Sequence, residues 1–322
     1  MSCIERPAYF ELSSVAPISA TLRGAKKRVR SGSAGAGFIR KGDIGAISSE
    51  VQRRYTIAVS GPVLLPGHLL RRCPDRKDNR AVSSPPPEVT IESREGIAWI
   101  TFNVPQKANA LTSAMLQKVE QTLAEGAVND AVRAVVITGA GARAFSAGAD
   151  LTSVPGDQQA HAAQRRNQFA ATLFALLDFG KPSIAAVNGA ACGAGMMLAL
   201  LCDATVAARQ ARFSLPEINK GMPTFPGITI LSRRFGSAIA ADLVLSGRFV
   251  EADEALRRGL VRQVVAADEL LGSAQTLALT LSRHDAAAYA HDKRWLNRPL
   301  RDELAAAIKA SADLHRPNLG TQ

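Results

Sequence analysis

Three short segments hold the residues whose types and spacing could do chemistry. "AFSAGADL" (144–151) sets the backbone N–H of Ala149 in a glycine turn. "ACGAGMM" (191–197) sets Ala194 at the start of an apolar, helix-forming run. A helix start leaves N–H groups without intrahelical acceptors and carries partial positive charge. "FSLPEINKG" (213–221) puts Glu217 directly after Pro216, and Pro favours the first turn of a helix, which would fix the carboxylate's approach. Stripped of side chains, backbone N–H groups at a helix start can face a ligand's negative charge. Each segment read singly serves equally well as a plain structural turn.

Other patterns fail on their context. Gly139, Gly141 and Ala144 follow a strand in G-x-G-x-x-A order, but an extended piece comes next, where a dinucleotide site needs a helix. Ser146 has Ala144 two residues before it, so the nucleophile-elbow pattern is not met. No H-E-x-x-H, paired-cysteine or clustered-carboxylate pattern occurs, and no metal site is expected. Cys3, Cys73, Cys192 and Cys202 show no paired spacing, which suits reduced thiols in a cytoplasmic protein.

The elements that must position these segments are legible in the periodicity. "VTIES" (89–93) and "IAWITFN" (97–103) read as a hairpin, and Met115, Val119 and Leu123 form the i, i+4 stripe of a helix. "AVVITG" (134–139) and "SIAAVNG" (183–189) are buried strands, and a helix over about 160–178 carries Phe169, Leu173, Leu176 and Leu177 on one side. "NGAACGAGMMLALLCD" (188–203) reads as a tight strand-to-helix turn feeding a buried helix. "ATVAARQARFSL" reads as two short strands around a turn, and the remainder, apart from "LVRQVV" (260–265), as helix. Strands alternating with helices imply an α/β core.

The charge is unevenly placed. Residues 1–87 hold 15 Lys and Arg against 6 Asp and Glu, while residues 88–322 hold 24 against 22. The front shows no sustained period and ends at "SSPPP", so it reads as a basic, disordered extension. An organellar transit peptide, a misassigned start or a nucleic-acid-binding tail are alternatives for it. Glu5, Glu11, Asp43 and Glu50 argue against the first, and the lack of interleaved aromatics argues against a nucleic-acid partner. No apolar run approaches a membrane span.

"NVPQKANAL", "AFSAGADL", "KPSIAAVNGAACGAG", "LALLCD", "FSLPEINKG" and "GLVRQVV" occur in this order. Through them the chain, from about Val89 to about Leu300, resembles the crotonase superfamily, the enoyl-CoA hydratase and isomerase enzymes. The resemblance implies an α/β fold, a crotonase-type spiral of repeated ββα units with a C-terminal helical extension. The domains expected are the extension 1–87, a core 88–250 and a helical region 251–322.

It further implies an acyl-CoA thioester whose carbonyl oxygen is held by the N–H groups of Ala149 and Ala194. Ala147, Gly148, Asp150 and Leu151 of the same motif would line the substrate, and Lys107 and Ala108 in "QKANAL" would meet the CoA end. No cofactor is implied beyond the coenzyme A carried by the substrate, and a homotrimer or hexamer is implied. Family chains continue past "LAAAIKASADLHRPNLGTQ" with a further amphipathic helix, so a more open pocket is expected here.

Hydratases of the family commonly pair the glutamate of the "PE" motif, here Glu217, with a second one after the glycine turn. That second position holds Met197. Adding water across a double bond asks for two proton-handling groups more than moving a double bond does. A single Glu217 therefore favours Δ3 to Δ2 enoyl-CoA isomerisation. A hydratase or other lyase using Glu217 alone, and a non-catalytic acyl-CoA binder, stay open. Met196, Met197, Leu198 and Phe213 could supply apolar surroundings that raise the pKa of Glu217.

Overall fold

The hairpin forms as expected: β1 (Val89–Arg94) and β2 (Ile97–Phe102) pair antiparallel. These and all elements below come from a computed structural model that describes residues 86–152 and 158–314. The reading of residues 1–87 as a basic extension lies outside the described residues, but for its last two. Thr112 then caps α1 (Ser113–Val128) by accepting the Met115 N–H, and the Met115, Val119 and Leu123 stripe is buried.

Three ββα repeats follow, though the last pair of strands leads first into a turn. The first is β3 (Ala134–Gly139), β4 (Ala144–Ser146) and α2 (Gln158–Asp178). The second is β5 (Ser183–Val187), β6 (Ala190–Cys192) and α3 (Ala194–Leu201). The third begins with β7 (Ala204–Ala208) and β8 (Arg212–Ser214), then a 3-10 turn at Pro216–Lys220, α4 (Phe225–Phe235) and α5 (Ser237–Ser246). The chain closes with β9 (Val250–Glu251), α6 (Ala252–Arg257), β10 (Gln263–Val265), α7 (Leu270–Leu281) and α8 (Ala286–Leu314).

Each repeat sends its first strand to one sheet and its second to another. The larger sheet runs β1-β2-β3-β5-β7-β10 and the smaller β4-β6-β8-β9, which is the crotonase-type spiral. Two local readings change. The strands at 204–214 do not pair with each other but lie in different sheets. The turn at 188–193 contains β6, whose small residues have little strand propensity and are extended because β4 and β8 pair with them on either side.

Strands β3, β5 and β7 are buried along their whole length, as a parallel sheet covered on both faces must be. Leu270, Ala274 and Ala278 of α7 pack with Ile97, Trp99, Val136, Ile184 and Val206 on one face. The main core, with α1, α2 and α3, fills the other. β9 pairs with β8 and β10 with β7, so the expected helical region 251–322 also completes both sheets, and the described residues form one compact unit. Among the described residues no helix is long and apolar enough to cross a membrane.

A buried ion pair ties α8 to the sheet. Lys293 Nζ lies 2.7 Å from Asp203 Oδ2 and also donates to the Lys181 carbonyl at 3.0 Å. The same Asp203 oxygen accepts from the Ser183 N–H (2.8 Å) and the Tyr289 hydroxyl (3.1 Å). Removing one partner of such a pair strands the other charge in a poorly solvated site. Lys293→Ala is expected to lower the unfolding free energy by about 3 to 5 kcal/mol, measured by chemical denaturation against wild type.

Candidate active site

Parallel pairing lays the three chemical segments side by side. Ser146 of β4 is in register with Ala191 of β6, and Cys192 of β6 with Ser214 of β8. The three strands run the same way, so residues 147–149, 193–195 and 216–217 leave the sheet together at its carboxyl edge. Open α/β sheets place ligands at such an edge.

Two glycines let the ends converge. Gly148 has φ +95°, and a Cβ there would lie 2.8 Å from the Cys192 carbonyl oxygen and 3.4 Å from the Ala194 nitrogen. Gly193 has φ +52°, and its Cβ would lie 3.0 Å from Glu217 Oε1. Any side chain at either position would be strained, and at Gly148 it would push the segments apart.

The same geometry exposes the two expected donors. Leu111 donates to the Gly148 carbonyl at 2.8 Å and accepts from the Asp150 N–H at 2.9 Å. This bridging pattern turns the N–H of the intervening Ala149 to the opposite side. Ala194 is the first residue of α3, where no helical carbonyl is in reach, and its φ is not positive. Among the described residues neither N–H has a hydrogen-bond acceptor.

A cavity of about 350 Å³ opens at this edge, and Ala147, Gly148, Ala149, Leu151, Ala194 and Glu217 all line it. Lys107, Ala108 and Asp150 do not. Lys107 Nζ lies 3.7 Å from Asp150 Oδ2, and the Ala108 carbonyl accepts the Ala147 N–H at 2.9 Å. Asn109, next to them, was not singled out by its sequence. It is fully buried with φ +54°, accepts the Val104 N–H at 3.0 Å and donates to the carbonyls of Ala140 (3.0 Å) and Ala144 (2.8 Å). Asn is one of the few residues that enters the left-handed region readily, which was the available signal.

Glu217 sits in the 3-10 turn, so the expected helix entrance is a single tight turn. Its Oε2 is buried and has no hydrogen-bond partner among the described residues. Burial pushes its carboxyl above the ordinary value, while its own backbone N–H and Lys220 pull less strongly the other way. Of the four apolar residues expected around it, Met197 lines the cavity. Met196, Leu198 and Phe213 are fully buried in the core behind it. Phe169 likewise belongs to the cavity wall on α2, together with Ala162, Arg165 and Arg166, while Leu173, Leu176 and Leu177 fill the core. The arginines were missed because helical spacing groups residues by face without saying what that face meets.

The raised pKa has a thermodynamic consequence with a definite sign. Below the ordinary glutamate value of 4.5, folded and unfolded states both hold the proton and Glu217 leaves stability unchanged. As pH rises through that value the unfolded chain releases its proton first, so stability falls until the folded carboxyl also ionises. Glu217→Gln is therefore expected to match wild type in acid and to gain stability over it as pH rises above 4.5, read from thermal melts of both proteins across pH.

Comparison with known proteins agrees with the fold. Residues 92–320 match the family model described as Enoyl-CoA hydratase/isomerase. A probable enoyl-CoA hydratase of Mycobacterium tuberculosis is 38% identical over 221 residues, covering 68% of this chain and 85% of that protein. The 2,3-dehydroadipyl-CoA hydratase of Escherichia coli is 39% identical over 229 residues, covering 70% and 88%. Among solved structures, Pseudomonas aeruginosa DspI superposes with a TM-score of 0.63 at 34% identity, covering 72% of this chain and 96% of that one. An enoyl-CoA hydratase from Mycobacterium avium subsp. paratuberculosis gives a TM-score of 0.64 at 27% identity, covering 71% and 89%. The chain belongs to the enoyl-CoA hydratase/isomerase family, as an acyl-CoA-processing enzyme.

Proposed function

We propose that the enzyme isomerises Δ3 to Δ2 enoyl-CoA thioesters with Glu217 as its single proton shuttle. The observation that carries this reading is the pairing of Glu217 with Met197 in one cavity: among the described residues lining it, Glu217 is the one carboxylate.

The thioester carbonyl oxygen would sit between the N–H groups of Ala149 and Ala194. Such donors act where charge develops, and each contributes about 3 to 4 kcal/mol to transition-state stabilisation. Glu217, ionised, takes a proton from C2, and the electron pair moves into an enolate conjugated with the C3–C4 double bond. The same carboxyl then returns the proton at C4, which leaves the double bond between C2 and C3. No water enters and no second base is needed. A carboxyl held above its ordinary pKa is a stronger base in this role, and the apolar wall, Met197 included, keeps competing water away.

The reaction needs no cofactor beyond the coenzyme A of the substrate. We place it in the cytoplasm and in a homotrimer or hexamer, in which exposed Trp295 and Leu296 of α8 are apolar surface available for burial. A hydratase or lyase working through Glu217 alone is the second reading, favoured by the hydratase names of the relatives above.

Turnover of 3-hexenoyl-CoA and 2-hexenoyl-CoA, followed by product analysis, separates these readings. Glu217→Gln is expected to lower isomerisation by about 100-fold or more. Isomerisation untouched by that change would sink the single-base mechanism, and binding of thioester without turnover in wild type would identify a binder. Met197→Glu restores a second carboxylate, and its ratio of hydration to isomerisation is expected to rise.

A further inference from the structure

The α2 wall of the cavity holds groups that the proposed isomerisation does not use. Ala162, Arg165, Arg166 and Phe169 follow each other at i, i+3, i+4 and i+7, so one face of α2 lines the cavity. Both residues are half-buried. Among the described residues neither side chain has an ion pair, a hydrogen bond or an aromatic contact.

This is unusual within the molecule itself. Half-buried Arg248 pairs with Asp242 and Glu254, and buried Lys293 pairs with Asp203. Two arginines on one cavity wall with no acceptor among the described residues form a site for an anion. Glu217 does not serve as their counter-ion, because it makes no ion pair and its burial disfavours its own charge. A mainly apolar cavity with two arginines on its α2 wall, and Lys220 in the turn that carries Glu217, is therefore complementary to a ligand that is apolar along its length and anionic at one point.

We propose that Arg165 and Arg166 recognise a carboxylate at the far end of the acyl chain, so that the preferred substrates are ω-carboxyl acyl-CoA thioesters. The proposal rests on the reading that the thioester carbonyl lies between Ala149 and Ala194, which fixes the near end of the acyl group on a different wall from α2. A planar guanidinium matches a carboxylate through two parallel N–H donors, and the pair together neutralises the group without any residue having to move into the cavity. A phosphate of coenzyme A is the other anion such groups could take, and it differs in one testable respect: every acyl-CoA carries it.

Adipyl-CoA and hexanoyl-CoA have the same chain length and neither contains a double bond, so their binding does not depend on the isomerase chemistry. Titration calorimetry on the full chain is expected to show adipyl-CoA bound about tenfold or more tightly than hexanoyl-CoA. In Arg165→Gln/Arg166→Gln that ratio is expected to fall to near one, and Arg166→Gln alone to give an intermediate ratio. Equal affinities in wild type, or a double variant that weakens both thioesters by the same factor, would overturn the proposal and assign the guanidiniums to coenzyme A phosphate. Selective adipyl-CoA binding by a protein that fails the hexenoyl-CoA turnover assay would uphold it while removing the isomerase reading. Binding of neither thioester would remove both.

Discussion

The site depends on two stretches of backbone lying against each other with no side chain between them. At Gly148 the nearest atoms to a hypothetical Cβ are backbone atoms of Cys192 and Ala194, which leaves the gap too narrow for any other residue. That approach is imposed by parallel pairing of β4 with β6 and of β6 with β8. Once the strands are in register, the Ala149 and Ala194 donors and the Glu217 carboxylate have no freedom to separate. Strands of three residues each would be marginal alone. They persist because the larger sheet and its helices hold both ends of every strand, so the rigidity of the site is borrowed from the core.

The electrostatics follow from the same closeness. Glu217 reaches the cavity from a tight turn whose cap, Gly221, has a positive φ, and one carboxylate oxygen is left without a partner. A group so placed gains no stability from its charge; its ionised form is held in a site that disfavours it. This is the arrangement expected of a proton carrier and not of a structural ion pair. The contrast within the molecule is Asp203, whose charge is met by Lys293, Ser183 and Tyr289 and which anchors α8. The two carboxylates thus have opposite surroundings, one met by a cation and hydrogen-bond donors and one left open toward the cavity.

α8 connects these two regions. Near its start Tyr289 and Lys293 bind to Asp203, and near its end Ser311 reaches the cavity lining. Along the way it packs on α4 and α2, and Arg234 of α4 donates to Asn297 of α8 at 3.1 Å. The helix that closes the core therefore also contributes to one side of the cavity, and the helical region expected after residue 250 is part of the site's frame.

Much of this was legible in the residues alone. Apolar runs marked β3, β5 and β7, the i, i+4 stripe marked α1, and the order of glycine-rich and "PE" segments singled out Ala149, Ala194 and Glu217, which line one cavity. Such features depend on neighbours in the chain, and local periodicity reports them well. What the residues did not disclose was every feature set by partners distant in the chain. The "AAC" of β6 is extended only because strands on both sides pair with it, and Lys107, Ala108 and Asp150 lie in the quoted motifs without lining the cavity. Arg165 and Arg166 sit on a helix face that sequence defines without saying whether it meets solvent, core or cavity. The chain by itself determined which groups are available and in what local conformation. The tertiary structure decided which of them share one small volume, because strand register and helix packing join residues that spacing along the chain cannot relate.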